Sequence, residues 1–217
     1  MTLAPERGQA FIRANTAVMA PPHVPEISLH LADEAHALWA RTEEELAEIG
    51  LEPPFWAFAW AGGQGLARHI LDHPHLVAGR HVLDFATGSG LVAIAAAKAG
   101  AASVLAADTD PFCAGAVALN AAANGVSVRF VAEDLIGTAG GWDVVLAGDV
   151  FFDRGLAERL TPWFREQAAR GIDVLIGDPG RYYLPKTGLT ALATYQVPVT
   201  RALEDAEVKK TTVWRFG

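Results

Sequence analysis

From residue 80 onward the chain keeps one rhythm: an apolar run of strand length, a turn rich in glycine or acid, then a helix-length stretch. HVLDFA (81–86), SVLAAD (103–108), VSVRFVA (126–132), WDVVLAGDV (142–150) and IDVLIGD (172–178) read as strands. SGLVAIAAAKAG (89–100), PFCAGAVALNAAANG (111–125) and DRGLAERLTPWFREQAARG (153–171) read as helices. Such βαβ alternation implies a parallel sheet with helices on both faces. The strands are apolar along their length, as expected when both faces are covered, and right-handed crossovers leave few topologies. LTALATYQVPV (189–199) and VKKTTVWRF (208–216) add two strands rich in β-branched and aromatic residues, with no clear helix between them. They predict an antiparallel hairpin at one sheet edge. The expected fold class is α/β: a Rossmann-like, seven-strand, mostly parallel sheet.

The N-terminal part is read differently. Residues 1–25 form an extension ending in the helix-breaking APPHVP, and 26–217 form the domain. EISLHLA (26–32) alternates like a short strand. DEAHALWARTEEELAEIG (33–50) has helical spacing, and LEPPFWAFAWAGGQGLARHILDH (51–73) is an aromatic loop opening into a helix near Gln64. A net charge of −8 argues against nonspecific binding to nucleic acid or an anionic membrane. The single cysteine, Cys113, allows no intrachain disulfide, and no apolar run is long enough to span a bilayer. The first residues lack a signal-peptide core; Arg7 and Arg13 against Glu6 make only a weak transit-peptide pattern. A soluble, intracellular and cytoplasmic protein is expected.

In an open α/β sheet, ligands bind beyond the carboxyl ends of the strands, and the chemistry-bearing residues fall there. GSGLVA (88–93) fits G-x-G-x-x-A between a strand and a helix. Its glycines permit close approach to a ligand, although a tight strand-helix turn needs the same residues. Asp108 ends the next strand 20 residues after Gly88, where an acid can accept from both ribose hydroxyls. Asp84 in LDFATGSG distinguishes between donors: a carboxylate repels a pyrophosphate but attracts a sulfonium and an ammonium. S-adenosylmethionine is therefore favoured over NAD or FAD. Asp134 is a candidate acceptor for the adenine amino group, or a solvated turn acid.

LAGDVFFD (146–153) closes the fourth strand, putting Asp149 and Asp153 beside the donor's methionine end. Phe151 and Phe152 offer apolar and cation–π walls, or ordinary core. GDPGRYYLP (177–185) ends the fifth strand on the same rim, as a substrate-site wall or a plain turn. Trp56 and Trp60 can cover the donor or a lysine stem, or simply pack. His69, His73 and His75 invite a metal reading, but Pro74 breaks the helix and no third ligand is evident; an exposed helix end is expected. His30, Asp33 and His36 are no stronger. Cys113 has no evident base beside it and reads as packing.

FWAFAWAGGQ, VLDFATGSGLVAIAAAKAGA, LAADTDPF, GDVFFD, LIGDPGR and TTVWRF together resemble the lysine methyltransferases of the electron transfer flavoprotein β subunit, within the seven-strand S-adenosylmethionine-dependent methyltransferases. The resemblance runs from about residue 26 to the C-terminus. It implies transfer of methyl groups from S-adenosylmethionine to lysines of that subunit, leaving S-adenosylhomocysteine, with no metal and no nucleic-acid or membrane partner. It implies a donor site of Trp60, Asp84, Thr87, Gly88, Gly90, Asp108, Thr109, Asp134, Leu135 and Gly148. Asp149 and Asp153 would be catalytic, and Trp56, Phe151, Phe152 and Arg181 would meet the substrate. One departure stands out: Ala86 occupies the first glycine of the usual acid-x-Gly-x-Gly-x-Gly loop. No Asn-Pro-Pro-aromatic segment follows the fourth strand, which points toward an sp3 amine acceptor. Three alternatives stay open: a methyltransferase for a ribosomal protein or a small amine, a NAD-type binder, and a catalytically silent nucleotide-binding module.

Overall fold

The computed structural model describes residues 5–32, 53–199 and 206–217. Its centre is a seven-stranded sheet of β3 (His81–Phe85), β4 (Ser103–Ala107), β5 (Arg129–Val131), β6 (Val144–Gly148), β7 (Asp173–Asp178), β8 (Leu189–Pro198) and β9 (Val208–Phe216). The order across the sheet is β5-β4-β3-β6-β7-β9-β8. The first five are parallel; β9 runs antiparallel to β7 and pairs with β8 as the expected edge hairpin. Strand order reverses between β3 and β6, which opens a crevice above their carboxyl ends. The expected third strand shortens to three residues because β5 lies at the edge and pairs only with β4.

Around the sheet lie α1 (Pro5–Asn15), α2 (Ala61–Asp72), α3 (Leu91–Lys98), α4 (Phe112–Ala123) and α5 (Arg154–Ala169). Every residue of α3 from Leu91 to Ala96 is buried, and its alanines let it sit flat on the sheet without displacing its neighbours. A three-residue hairpin of β1 (Ala17–Met19) and β2 (Leu29–Leu31) precedes α2, and α1 packs Ile12 against Gly115 of α4. β1 was not anticipated. Two asparagines of α4 tie this segment down: Asn120 accepts from the His30 N–H at 2.7 Å, and Asn124 exchanges two bonds with the Ser28 backbone. The helix expected over 33–50 lies outside the described residues.

α2 begins at Ala61, three residues before the expected Gln64. The cause is contact too close for side chains. A β-carbon at Gly62 would fall on the Gly177 carbonyl oxygen, and one at Gly148 would lie 2.7 Å from the Gly63 Cα. The glycines of WAGGQG thus press the first turn of α2 against the ends of β6 and β7.

Candidate active site

Two loops meet over the crevice. The first follows β3, where Gly88 and Gly90 take φ of 51° and 81° and turn the chain into α3. Ala86 has φ of 51° too, the left-handed region that a β-carbon disfavours. Asp84 is 1% exposed, and its Oδ2 accepts from the Thr87 hydroxyl at 2.5 Å and the Ala93 N–H at 2.9 Å. That oxygen fastens the loop to α3, a duty not foreseen from the sequence. Burial pushes the Asp84 carboxyl up to about 7, against those two hydrogen bonds. Asp108, half-buried at the end of β4, accepts from the Gly88 N–H at 2.9 Å through Oδ2 and from the Asp110 N–H through Oδ1. Thr109 beside it is exposed.

A residue the sequence reading missed supports this loop from behind. Asn120, fully buried on α4, donates to the Ser89 carbonyl at 2.7 Å. An asparagine within an alanine-rich helix was the available signal, because a buried amide needs partners.

The second loop follows β6. Asp149 has φ of 66° and is buried, its Oδ2 accepting from the Gly62 N–H at 2.9 Å and its Oδ1 from Arg181 Nε at 2.5 Å. A distant carboxylate therefore serves a free N–H in the first turn of α2. The last residue of β7 is Asp178, which the sequence reading placed in a wall segment without singling it out. It is 1% exposed, and its Oδ1 accepts from the Gly180 and Arg181 N–H groups. Burial and the neighbouring Asp149 charge push it up to about 6, although the Arg181 and Gly180 N–H groups pull the other way.

Several expected site residues have other duties. Trp56 is fully buried and stacks on Phe112 at 5.7 Å, inside a cluster with Ile12 and Cys113, so it is core rather than a substrate wall. Phe151 is core against Phe164, whereas Phe152 is half exposed at the rim beside Phe55. Leu135 is buried in the same cluster as Phe151, and Gly148 serves the contact with Gly63. Asp153 accepts from the Leu156 N–H at 2.8 Å as the N-cap of α5. Asp134 is an exposed acid paired with Arg159 and bonded to the Ile136 N–H. Trp60 remains half-buried, its Nε1 donating to the Phe55 carbonyl at 2.9 Å.

His69 is not at an exposed helix end. It is buried, with Nδ1 2.9 Å from the Tyr195 hydroxyl, and burial followed by the His73 charge lowers it to about 4. Asp33 and His36 lie outside the described residues. Among the described residues no group of three His, Cys, Asp or Glu is placed to hold a metal, and no helix is long and apolar enough to cross a membrane. Cys113 is buried, and burial, then the charges of Asp108 and Asp110, raise its thiol well above the usual value, which suits packing over reactivity.

Comparison with known proteins places this arrangement. Residues 69–150 match the family described as ribosomal protein L11 methyltransferase (PrmA). Among solved structures, the ribosomal protein L11 methylase of Lactobacillus delbrueckii subsp. bulgaricus superposes with a TM-score of 0.51 at 22% identity, covering 74% of this chain and 81% of that one. Magnesium protoporphyrin IX methyltransferase from Synechocystis PCC 6803, with bound S-adenosylmethionine, gives 0.51 at 18% identity over 72% and 80%. These two show the fold. Curated relatives go further. The electron transfer flavoprotein beta subunit lysine methyltransferase of Xenopus laevis is 39% identical over 96% of this chain and 86% of its own length. The Homo sapiens protein of the same name is 34% identical over 96% and 81%. With a glycine loop at the switch point and an acid fixed at the end of β6, and with relatives matched along nearly its whole length, the chain belongs to the electron transfer flavoprotein beta subunit lysine methyltransferase family.

Proposed function

We propose that this enzyme transfers methyl groups from S-adenosylmethionine to lysine side chains of an electron transfer flavoprotein β subunit. The observation that carries the reading is Asp149: a carboxylate in left-handed backbone, held between a helix N-terminus and a guanidinium at the switch point of a methyltransferase sheet. The glycine loop fits the donor. Gly88 and Gly90 bend its backbone, and the half-buried Asp108 stands at the end of β4 to accept from ribose hydroxyls. A protein acceptor suits the rim, where the exposed Phe152 and Tyr182 lie on the loops carrying Asp149 and Arg181. A single buried cysteine suits a reducing compartment, and we place the enzyme in the cytoplasm.

The donor's sulfonium supplies an activated methyl group, so alignment is the main task. Holding the acceptor nitrogen in line at about 3 to 3.5 Å supplies much of the rate. A lysine ammonium, with a pKa of about 10.4, must first lose a proton. Asp149 orients that amine by accepting its N–H, while Arg181 and desolvation disfavour the charged form. The nitrogen lone pair then forms the N–C bond as the C–S electrons return to sulfur.

The test is labelled methyl transfer to purified β subunit, alongside calorimetry with S-adenosylhomocysteine and NAD. The expected result is labelled β subunit and binding of S-adenosylhomocysteine alone. Label on a ribosomal protein in extract, with none on the β subunit, would shift the substrate; binding of NAD alone would remove the enzyme reading.

A further inference from the structure

Asp149 explains how an amine is oriented but not where its proton goes. Both of its oxygens are engaged, one by the Gly62 N–H and one by the Arg181 guanidinium, so it is a poor proton acceptor. Its neighbour is differently placed. Gly148 of β6 and Gly177 of β7 are register partners, so Asp149 and Asp178 leave adjacent strands side by side. Oδ1 of Asp178 is occupied by two N–H groups, but its buried Oδ2 accepts from no described residue. A buried carboxylate oxygen with no donor is costly and uncommon. A proton taken up in the course of the reaction relieves that cost.

The charged groups facing Asp178 are Asp149 from β6 and Arg181 from the following loop. β9 sets Thr212 opposite it, and α2 meets this end of β7 through Gly62 and Leu66, so neither supplies a charge. The Asp149 charge beside it raises the affinity of Asp178 for a proton.

We propose that Asp178 is the proton-accepting partner of Asp149, the pair taking up the proton that the acceptor ammonium must lose. The ammonium N–H bond breaks, its electron pair stays on nitrogen for attack on the methyl carbon, and the proton resides on the Asp178–Asp149 pair until it passes to water. The inference rests on the methyl-transfer reading above. Its supporting property is a carboxyl pushed up to about 6 by burial, more basic than an ordinary aspartate.

The test is the pH dependence of turnover on β subunit for the wild type and Asp178→Asn, whose amide oxygen still accepts from the Gly180 and Arg181 N–H groups. At pH 7 the variant should lose about 10²-fold in kcat, with the gap closing as alkaline pH delivers the amine unprotonated. S-adenosylhomocysteine affinity should hold. A gap constant with pH, or kcat within threefold at pH 7, would overturn the assignment. Should the variant fail to fold, the wild-type profile decides: an acid limb in kcat near pH 6 supports it, and a profile without that limb overturns it. Wild type that binds no S-adenosylhomocysteine and transfers no label removes the methyl-transfer reading itself, and the inference with it.

Discussion

Arg181 Nε donates to Oδ1 of Asp149 at 2.5 Å, joining the loop after β7 to the loop after β6. Asp149 keeps only 4% of its side chain exposed and Arg181 23%, so the pair is screened less than a surface pair would be. Removing the guanidinium leaves a buried carboxylate held by the Gly62 N–H. Arg181→Ala should lower unfolding free energy by about 1.5–3 kcal/mol, the range for hydrogen bonds to charged groups. Urea denaturation at neutral pH measures this, and the KM for β subunit should rise while S-adenosylhomocysteine affinity stays.

Asp149→Asn should be more damaging to turnover than to binding. Asparagine tolerates left-handed backbone and can still accept from Gly62. It loses the charge that pairs Arg181 and orients an ammonium. A kcat loss of about 10²-fold or more is expected, with S-adenosylhomocysteine binding by calorimetry within a few-fold. Near-wild-type turnover would remove Asp149 from the mechanism.

Ala86 carries strain that glycine would not. At φ 51° a β-carbon costs about 1–2 kcal/mol. Ala86→Gly recovers part of it, less the greater freedom of glycine in the unfolded chain. A rise in Tm of about 2–4 °C is expected for a chain of this size, provided the loop keeps its Thr87–Asp84 bond. A fall in Tm would show that the left-handed turn is not where the strain lies.

The contributions of Asp84 and Asp178 to stability should fall as pH rises from about 4 to 7, opposed by His69, which burial lowers to about 4. Burial raises the folded Asp84 carboxyl to about 7 and Asp178 to about 6, above the unfolded value near 3.8. An acid raised in the folded state contributes stability below its unfolded pKa, and loses it as pH climbs through the folded one. Asp84→Asn removes one of the two contributions. The unfolding free energy of the variant relative to wild type should rise across this range, by up to a few kcal/mol at pH 8.

The sheet was legible because its strands are written as apolar runs ending in acid or glycine, a pattern that also places Asp84, Asp108, Asp149 and Asp178 at one rim. Which donors each acid takes up was not legible. Asp84 lies near the end of β3 and Asp108 just after β4, both beside the glycine loop, yet Oδ2 of Asp84 takes the Ala93 N–H while Asp108 takes the Gly88 N–H and stays half-buried. The sorting depends on which backbone donors lie within reach, and those come from remote elements. Trp56 misled for the same reason. An aromatic beside glycines reads as a lid, but the partner that buries it, Phe112, lies 56 residues away on α4. WAGGQG read as a loop because glycine is a poor helix former; contact with Gly177 and Gly148 overrides that preference.

That contact gives a prediction in which geometry alone decides. A β-carbon at Gly177 would overlap the Gly62 carbonyl and lie 2.8 Å from the Leu66 Cβ. Neither is the free end of a side chain, so α2 must lift from the sheet or β7 must bend. Overpacking of this kind costs about 1–3 kcal/mol, and more when backbone is the obstacle. The consequence reaches the site, because lifting α2 withdraws the Gly62 N–H from Asp149 and reopens the pair with Arg181. Gly177→Ala should therefore lower both Tm and kcat. Gly141→Ala is the matched control, since its β-carbon meets nothing within 4 Å and its φ is not positive; it should leave both unchanged. Equal effects from the two variants in parallel thermal melts and methylation assays would show that backbone contact between α2 and β7 does not hold the acceptor site together.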